Sequence, residues 1–517
     1  MQPTGLARTE TEVQDLSFLI SGGTRGIIGV QGVTEFGEPQ KPRLVGSWIE
    51  YQRYFGGLLS GSLFPLLCKR ALDKGAKLYV SRAAHYSVIA DNTTIEGVKA
   101  SGSIVLGVTG TSVWTAKNIG EGGNKITVAI TTGDTGKVNI KVTVKGFTGE
   151  ADLTHEEKAF PNTPTAQQKI DLNNKLKFVQ LGAITTLIAP GSITLAGGSQ
   201  SIAAIVATDY IGNQAARNGL YAFDGVAEIS KIAVPEKALP EIDAAISTYV
   251  TMRGDLMGLV RTPVGLDGAT VVNYRKGTGI YAHAAIDNWR VRMFTGGLIV
   301  KDPLSKNNIE IPELGDVIGL LSKRDNIAYP WYSESGARRG KIADAIDVVY
   351  NFGTSGRQTE GGNIVDNGVT PVINHESFGV VAWGNRTLQL EDTLLKKAEV
   401  AELLLFIIKG LKPLVQVELF EPNDINTWKS IYRKVKPFMA NIATNRGVNG
   451  EEGEGWVFEG DQNIDSISEI QVNTPQNIDL GFYVFNLMVK PITALEYIGI
   501  KVSVHNSGVD FSLSASV

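Results

Sequence analysis

Hydrophobic and polar residues alternate along this chain in two periods, and each period predicts its own kind of element. Over Val509 to Val517 the period is two: Val509, Phe511, Leu513, Ala515 and Val517 fall on one side, Asp510, Ser512, Ser514 and Ser516 on the other. That alternation predicts a strand with one buried face. With no following segment to form a hairpin, such a strand is expected to add to a sheet already built. The sheet is its own subunit's, completing the fold, or a neighbour's, linking two chains. Val138, Ile140, Val142 and Val144 alternate in the same way with Asn139, Lys141, Thr143 and Lys145. Ile126, Val128 and Ile130 supply the expected partner strand, through a turn over Thr131–Lys137 with two glycines. Trp428, Ile431, Val435, Phe438 and Ile442 instead recur at steps of three and four, an amphipathic helix. Lys429, Arg433 and Lys436 stand on its other side. They read either as a solvated face or as an electrostatic contact with an acidic partner surface.

The texture shifts along the chain divide it. Residues 1–17 are polar and predict an extended N-terminal arm. Phe18–Val33 predicts a strand and turn, Trp48–Phe55 and Leu58–Lys74 two helices, the second closed by Gly75, and Lys77–Arg82 a strand. Residues 18–90 therefore open an α/β part. Thr, Gly, Val and Ile dominate 91–205, which reads as an inserted β-rich domain with a helical piece around Gln167–Gln180. A second α/β part over 206–365 follows, with helices at Leu239–Arg253 and Gly315–Lys323 and strands at Leu256–Arg261 and Ile299–Asp302. In 366–505 a long apolar helix is expected over Glu391–Lys409 and a strand over Val415–Phe420. A turn at Pro422–Asp424 leads into the amphipathic helix, and strands are expected over Phe482–Val489 and Tyr497–Val504. Residues 506–517 hold the alternating strand. The fold class is α/β (mixed α+β) and multidomain.

A chain of 517 residues exceeds one small core, and about two to four domains are expected. Its 43% hydrophobic and 20% charged residues are ordinary for a globular protein. The net charge of −4 gives no general attraction to nucleic acid or anionic lipid. Cys68 is the only cysteine, which excludes an internal disulfide framework. No secretory leader pattern opens the sequence, and the most apolar run, Leu403–Ile408, is too short to span a bilayer.

Candidate chemistry is sparse. Gly22-Gly23-Thr24-Arg25-Gly26 lacks the lysine of a phosphate loop, and Gly-x-Ser-x-Gly does not occur. The five histidines (His85, His155, His283, His375, His505) are scattered. His155-Glu156-Glu157 is the nearest approach to a metal group, but with Lys158 following it reads as a solvated helix start. Glu451, Glu452 and Glu454 lie in a Gly-rich loop and read as a solvated turn rather than an acid/base pair. No catalytic, cofactor-binding or metal-ligating residue is nominated.

Gly379-Val380-Val381-Ala382-Trp383-Gly384-Asn385-Arg386-Thr387-Leu388 resembles the Trp-Gly-x-Arg-Thr-Leu signature of contractile phage tail sheath proteins. The signature residues are Trp383, Gly384, Arg386, Thr387 and Leu388. Phe420-Glu421-Pro422-Asn423-Asp424 with Thr427-Trp428 is similar to the stretch that follows it, with Glu421, Pro422 and Asn423 as its core. Asn486–Ile500, with Pro491 and Glu496, resembles the closing segment. Arg25–Val33, Pro42–Val45, Tyr54-Phe55-Gly56 and Gly75–Arg82 resemble the opening, and Tyr329-Pro330-Trp331-Tyr332-Ser333 with Arg339-Gly340 the middle. The likeness covers both flanking α/β parts and is weak over 91–205. Pro is absent after Ser333, where many members carry it.

The resemblance implies a discontinuous sheath core built from N- and C-terminal parts, an outward β-rich insert and extended terminal arms. It implies a helical homo-oligomer around a tail tube protein, contacts with baseplate and tail terminator proteins, and contraction that drives the tube through a cell envelope. It implies no cofactor, no nucleic acid contact and no membrane insertion. The place is the virion tail, assembled in the host cytoplasm. On this reading Val509, Phe511, Leu513, Ala515 and Val517 link subunits, and Lys429, Arg433 and Lys436 face the tube. The sheath of a phage-derived injection system fits equally. A non-contractile virion or surface-array protein with a receptor-binding insert, and an enzyme with an unrecognised site, are the remaining alternatives.

Overall fold

Every residue of β1 (Ile27–Gly32) is buried, the expected state of a parallel strand covered on both faces. β1 pairs in parallel with β3 (Lys77–Arg82) on one side and β11 (Lys231–Ala233) on the other. The parallel run continues through β12 (Met257–Arg261), β13 (Val291–Thr295) and β17 (Val369–His375). Antiparallel strands flank it: β2 (Arg43–Val45) beside β3 and β18 (Gly379–Ala382) beside β17. The computed structural model describes residues 25–106, 110–146, 152–200, 202–353, 358–464 and 470–496. The expected arm over 1–17, the strand over Tyr497–Val504 and the alternating tail Val509–Val517 lie outside the described residues.

Because successive side chains of a strand point to opposite faces, this sheet carries two cores. Ile28, Val30 and Leu259 pack with α1 (Trp48–Phe55), α2 (Phe64–Asp73) and α7 (Leu314–Ile327) through Tyr51, Leu67, Ala71, Val317 and Leu321. On the other face Ile27, Ile232 and Val260 pack with α4 (Ala207–Ile211), α5 (Pro240–Arg253), α6 (Gly268–Lys276) and α8 (Gln358–Asp366). α5 has Pro240 in its first turn and Gly254 just past its end at φ 75°, where the glycine N–H donates to Val250 O. Both residues stand where helix geometry favours them.

The chain leaves this sheet after β3 and returns at β11. Between them lie β4 (Ser101–Leu106), β5 (Gly110–Ala116), β6 (Ile126–Thr132), β7 (Lys137–Val144), β8 (Leu153–Pro161), α3 (Ala166–Lys175), β9 (Val179–Ile184) and β10 (Gly191–Thr194). They form a four-stranded sheet, β10-β6-β7-β8, and a three-stranded one, β4-β5-β9. Trp114, Val128, Ile140, Leu172 and Leu181 share a separate core. β7 buries the four residues its alternation marks, and β6 pairs with it as expected, Val128 opposite Val142 and Ile130 opposite Ile140.

A further three-stranded sheet joins β14 (Leu298–Lys301), β15 (Asn308–Ile311) and β16 (Asp347–Val348). After β18 come α9 (Ala398–Gln416), α10 (Ile425–Thr444), β19 (Trp456–Glu459), α11 (Pro475–Asp479) and β20 (Asn486–Val489). Leu403, Ile407 and Leu414 of α9 meet Ile431, Val435, Phe438 and Ile442 of α10, with Trp456 and Phe458 of β19 closing that core.

Several expectations change. Val415–Phe420 is not a strand: α9 runs through an internal Pro413 to Gln416, and residues 417–420 turn. The two-residue spacing of Val415, Val417 and Leu419 mimics a strand, but Leu414 one turn past Leu411 holds the segment against α10. α9 starts at Ala398 rather than Glu391, after a short turn at Leu394–Lys396. α2 starts at Phe64, not Leu58, because Gly56 and Gly61 adopt φ of 85° and 87° and Pro65 sits in the first turn. His155-Glu156-Glu157 lies in β8 rather than at a helix start; Val142 stands opposite His155 and Lys141 opposite Glu156. β20 begins at Asn486 rather than Phe482.

Asp243 of α5 is buried, and its Oδ2 accepts the Tyr274 hydroxyl at 2.8 Å. Burial pushes its pKa up to about 7, against the opposing pull of the Tyr274 hydrogen bond and Arg261. An unfolded aspartate titrates near about 3.9, so the folded chain binds this proton more tightly. The associated stability is full below that value and is lost as pH rises through about 7. Asp243→Asn is expected to remove this component, flattening the loss between pH about 4 and 7. Urea unfolding across that range checks it, and an unchanged slope rejects the assignment.

Candidate functional site

Six charged residues from four elements and one loop converge in the interior. They are Lys231 on β11, Arg292 on β13, Arg324 and Asp325 on α7, Glu334 in the loop beyond α7, and Glu402 on α9. All six are buried. Arg292 Nη1 lies 2.8 Å from Glu402 Oε1 and 3.2 Å from Glu334 Oε2. Arg324 Nη1 lies 3.1 Å from Glu334 Oε2, and its Nε donates to Asp325 Oδ1 at 2.8 Å. Arg324 also pairs with Glu402. Lys231 Nζ closes the set, 2.7 Å from Asp325 Oδ2 and 3.0 Å from Glu402 Oε2. Three cations meet three carboxylates, so the knot is neutral. Burial pushes the Glu402 pKa up, but Arg324, Lys231 and Arg292 outweigh it and hold the carboxyl well below the usual carboxylate range.

A chain of hydrogen bonds runs outward from this knot. Arg292 Nη2 donates to Asn385 Oδ1 at 3.3 Å, Asn385 Nδ2 donates to Glu399, and Glu399 Oε1 accepts the Ala494 N–H at 3.0 Å. The signature loop is thereby pinned at Asn385, and its residues divide by role. Thr387 is buried and donates to Leu395 O at 2.7 Å; Leu388 is fully buried, and its N–H donates to Val291 O at 2.9 Å. Gly384 at φ 154° sits where a Cβ would meet Val365 and Pro371 at 3.3 and 3.4 Å. Arg386 clasps Glu496 through its two terminal guanidinium nitrogens, Nη2 to Oε2 at 2.9 Å. Trp383 alone of the five turns outward, 40% exposed, its ring stacked with Phe378 and near His375. Trp383, Arg386, Asp366 and Glu496 line an open cavity of about 640 Å³.

The second signature patch is a joint. Asn423 accepts the Trp428 indole N–H at 2.8 Å and donates to Ile478 O and Phe482 O at 3.3 and 3.2 Å. It ties the α9–α10 turn to the segment around α11. Glu421 and Pro422 are exposed, and Asp424 caps α10 through the Thr427 N–H at 2.9 Å. Around this joint Val417, Leu419, Phe420, Leu480, Phe482 and Val484 are exposed, Phe420 completely, at φ 74°.

On α10, Arg433 is exposed and Lys429 half-buried. Lys436 is exposed but lies 3.0 Å from Glu452 Oε2, and both it and Glu452 hydrogen-bond the Tyr432 hydroxyl. The basic face is thus partly neutralised by the Gly-rich loop that reads as a solvated turn. Beside it β19 and β20 form a two-stranded antiparallel sheet, and no further strand flanks either one among the described residues. Trp331, from the Tyr-Pro-Trp-Tyr-Ser motif, fills the core beneath, its indole donating to Asn445 O at 2.9 Å. The linking residues Val509, Phe511, Leu513, Ala515 and Val517 lie outside the described residues. Among the described residues, no cluster of His, Cys, Asp and Glu is placed to hold a metal, and no helix is long and apolar enough to cross a membrane.

The ionic knot escapes sequence reading because its members are up to 171 positions apart, Lys231 to Glu402. The available signal is a charge inside an apolar element: Lys231 in a three-residue buried strand, Arg292 in Val-Arg-Met-Phe, Glu402 in the apolar α9. A buried charge demands a partner.

No family model matches the chain. The tail sheath protein of Vibrio phage KVP40 is 24% identical over 289 residues, 52% of this chain and 40% of that protein. The tail sheath protein of Enterobacteria phage T4 is 23% identical over 262 residues, 49% of this chain and 36% of that protein. The matched stretch thus spans about two fifths of the length of these curated relatives. A sheath tail protein from Listeria innocua superposes with a TM-score of 0.60 at 14% identity, over 87% of this chain and 93% of that one. The PVC sheath of an extracellular contractile injection system, in its contracted state, superposes with a TM-score of 0.56 at 11% identity, over 97% and 98%. The likeness to contractile tail sheath proteins is therefore present in sequence over half the chain and in fold over nearly all of it.

Glu402→Gln leaves three buried cations facing two carboxylates. Breaking a buried network from one side costs about 3–5 kcal/mol. Chemical denaturation of the variant is expected to show a loss of that size with the slope retained; wild-type stability rejects the knot as a structural anchor.

Proposed function

We propose that this chain is a structural subunit of a contractile tail sheath. Copies polymerise helically around a tail tube and, on a baseplate trigger, shorten and widen to drive the tube through a cell envelope. The observation that carries this reading is the β19–β20 sheet, which has no further strand beside it among the described residues, in a chain whose Val509–Val517 segment alternates as a half-buried strand does. A two-stranded sheet is marginal alone, and an unflanked edge is a template for a strand from another chain. The tail of one copy, through Val509, Phe511, Leu513, Ala515 and Val517, is assigned to that edge on its neighbour.

The finer organisation follows. Residues 1–17 form an arm, 18–90 and 206–365 the two parts of the α/β sheath domain, and 91–205 an outward insert. Residues 366–505 form the tube-facing domain and 506–517 the linking strand. A core drawn from 91–205, with Phe36 as its one member from the 18–90 part, supports the division. A head-to-tail contact that does not close propagates as an open helix, and a sleeve held kinetically above a lower-energy packing stores the work. Bistable interfaces then replace chemistry, and no catalytic residue is required. Partners are further copies, the tail tube protein, and baseplate and terminator proteins; the place is the virion tail, assembled in the host cytoplasm. The near-complete overlap with the contracted injection-system sheath favours one second reading, a phage-derived injection machine using the same sleeve.

Deleting Val509–Val517 is expected to leave soluble, folded monomers by negative-stain microscopy and gel filtration. Tubes of normal length from that truncation reject the linking-strand assignment. Reversing Lys429, Arg433 and Lys436 to glutamate is expected to weaken co-assembly with the tube while sheath-only polymers form nearly as before. Co-assembly that does not change returns these residues to a solvated helix face.

A further inference from the structure

An open cleft of about 980 Å³ runs between the β2–α1 region and the separately cored part that holds β5 and β9. Five cations line it, Arg43, Arg53, Lys99, Lys117 and Lys177, against a single carboxylate, Glu38. That carboxylate is already engaged: Lys41 pairs with it, and Arg43 Nη2 lies 3.9 Å from its Oε2. Arg53, Lys99 and Lys177 are exposed, with no carboxylate within ion-pair distance among the described residues. Lys117 is half-buried at the cleft wall, its Nζ donating to Asn173 O at 2.7 Å, and burial lowers its pKa. The rings of Tyr54 and Phe178 add apolar wall between the charges, and the Arg43 guanidinium sits 5.2 Å over the Tyr54 ring.

Like charges held around one concavity repel, and low-dielectric walls focus their field. The arrangement is stabilised when an anion enters. The chain as a whole carries −4 although this cleft is net positive, so the rest of the chain holds more carboxylates than cations. Another copy of the same chain is therefore a complementary partner. We propose that this cleft is a docking groove for a carboxylate-bearing segment of a second copy of this chain. The inference rests on the sheath reading and adds to it an electrostatic contact, distinct from strand exchange at β19–β20.

The test uses the full chain with Arg53→Glu, Lys99→Glu and Lys177→Glu combined, all at exposed positions. Its critical concentration for assembly, read by sedimentation, is expected to rise roughly tenfold over wild type, the sum of several exposed pairs. Its dependence on added salt is expected to flatten. Zero-length carbodiimide coupling of wild-type polymers mixed from unlabelled and heavy-isotope-labelled copies is expected to link Lys99 or Lys177 to an Asp or Glu of the other isotope. A folded variant with an unchanged critical concentration, or coupling only within one isotope, overturns the proposal while leaving the sheath reading intact. Unchanged assembly with lost binding of a single-stranded oligonucleotide assigns the cleft to nucleic acid and overturns it too. Should the variant not fold, the coupling on wild type decides. A wild-type chain that never polymerises overturns both readings.

Discussion

Six buried charges set the terms for the rest of the molecule. Each of Lys231, Arg292, Arg324, Asp325, Glu334 and Glu402 costs several kcal/mol to take out of water alone, and the loss is offset only when all six meet. The positions of β11, β13, α7 and α9 are therefore mutually conditional. A hydrophobic interface tolerates small slips between elements; a neutral ionic knot does not, because a slip leaves a buried charge unpaired. The knot registers α9, and with it the α10 and β19–β20 block, against the eight-stranded sheet. It also reaches the signature loop through Asn385 and the closing segment through Glu399 and Ala494.

The two signature patches are intelligible in these terms. Most of their residues serve the body of the fold rather than its surface. Thr387 and Leu388 are buried, Gly384 fits a space without a side chain, and Arg386 clasps Glu496. Asn423 makes three hydrogen bonds that join α10 to α11 and the residues just after it. A reading that treats such residues as a binding site misplaces them. They hold the C-terminal part as one body, while Trp383 and the exposed Phe420 mark where that body meets its surroundings.

How much of this the sequence discloses depends on the range of the interaction. The α10 face and the β6–β7 hairpin are written in local periodicity; the structure buries every residue expected on the α10 face, adding Met439, and pairs β6 with β7. Val415–Phe420 misleads because a two-residue spacing at a helix end imitates a strand, and only the contact of Leu414 with the α10 core decides between them. The start of α2 turns on Gly56 and Gly61, whose positive φ overrides a favourable apolar run. The knot is illegible as a whole, since no local period links Lys231 to Glu402, yet each member is visible singly as a charge in an apolar setting.

The distribution of unsatisfied surface completes the picture. The block that the knot fastens to the sheet also opens outward: a β19–β20 pair with no further strand beside it among the described residues, exposed apolar side chains at Val417, Leu419 and Phe420, and others at Leu480, Phe482 and Val484. Contiguous apolar surface of this kind marks contact sites on soluble proteins. On the proposed sheath reading, a subunit that passes force between neighbours needs its contacts on the part that cannot yield, because a compliant mount dissipates the displacement it should transmit. Interior charges balanced to neutrality give the rigid mount. Surface groups left unbalanced, apolar on the C-terminal block and cationic in the cleft beside β2, are the places that the proposed sheath reading assigns to contact with other copies.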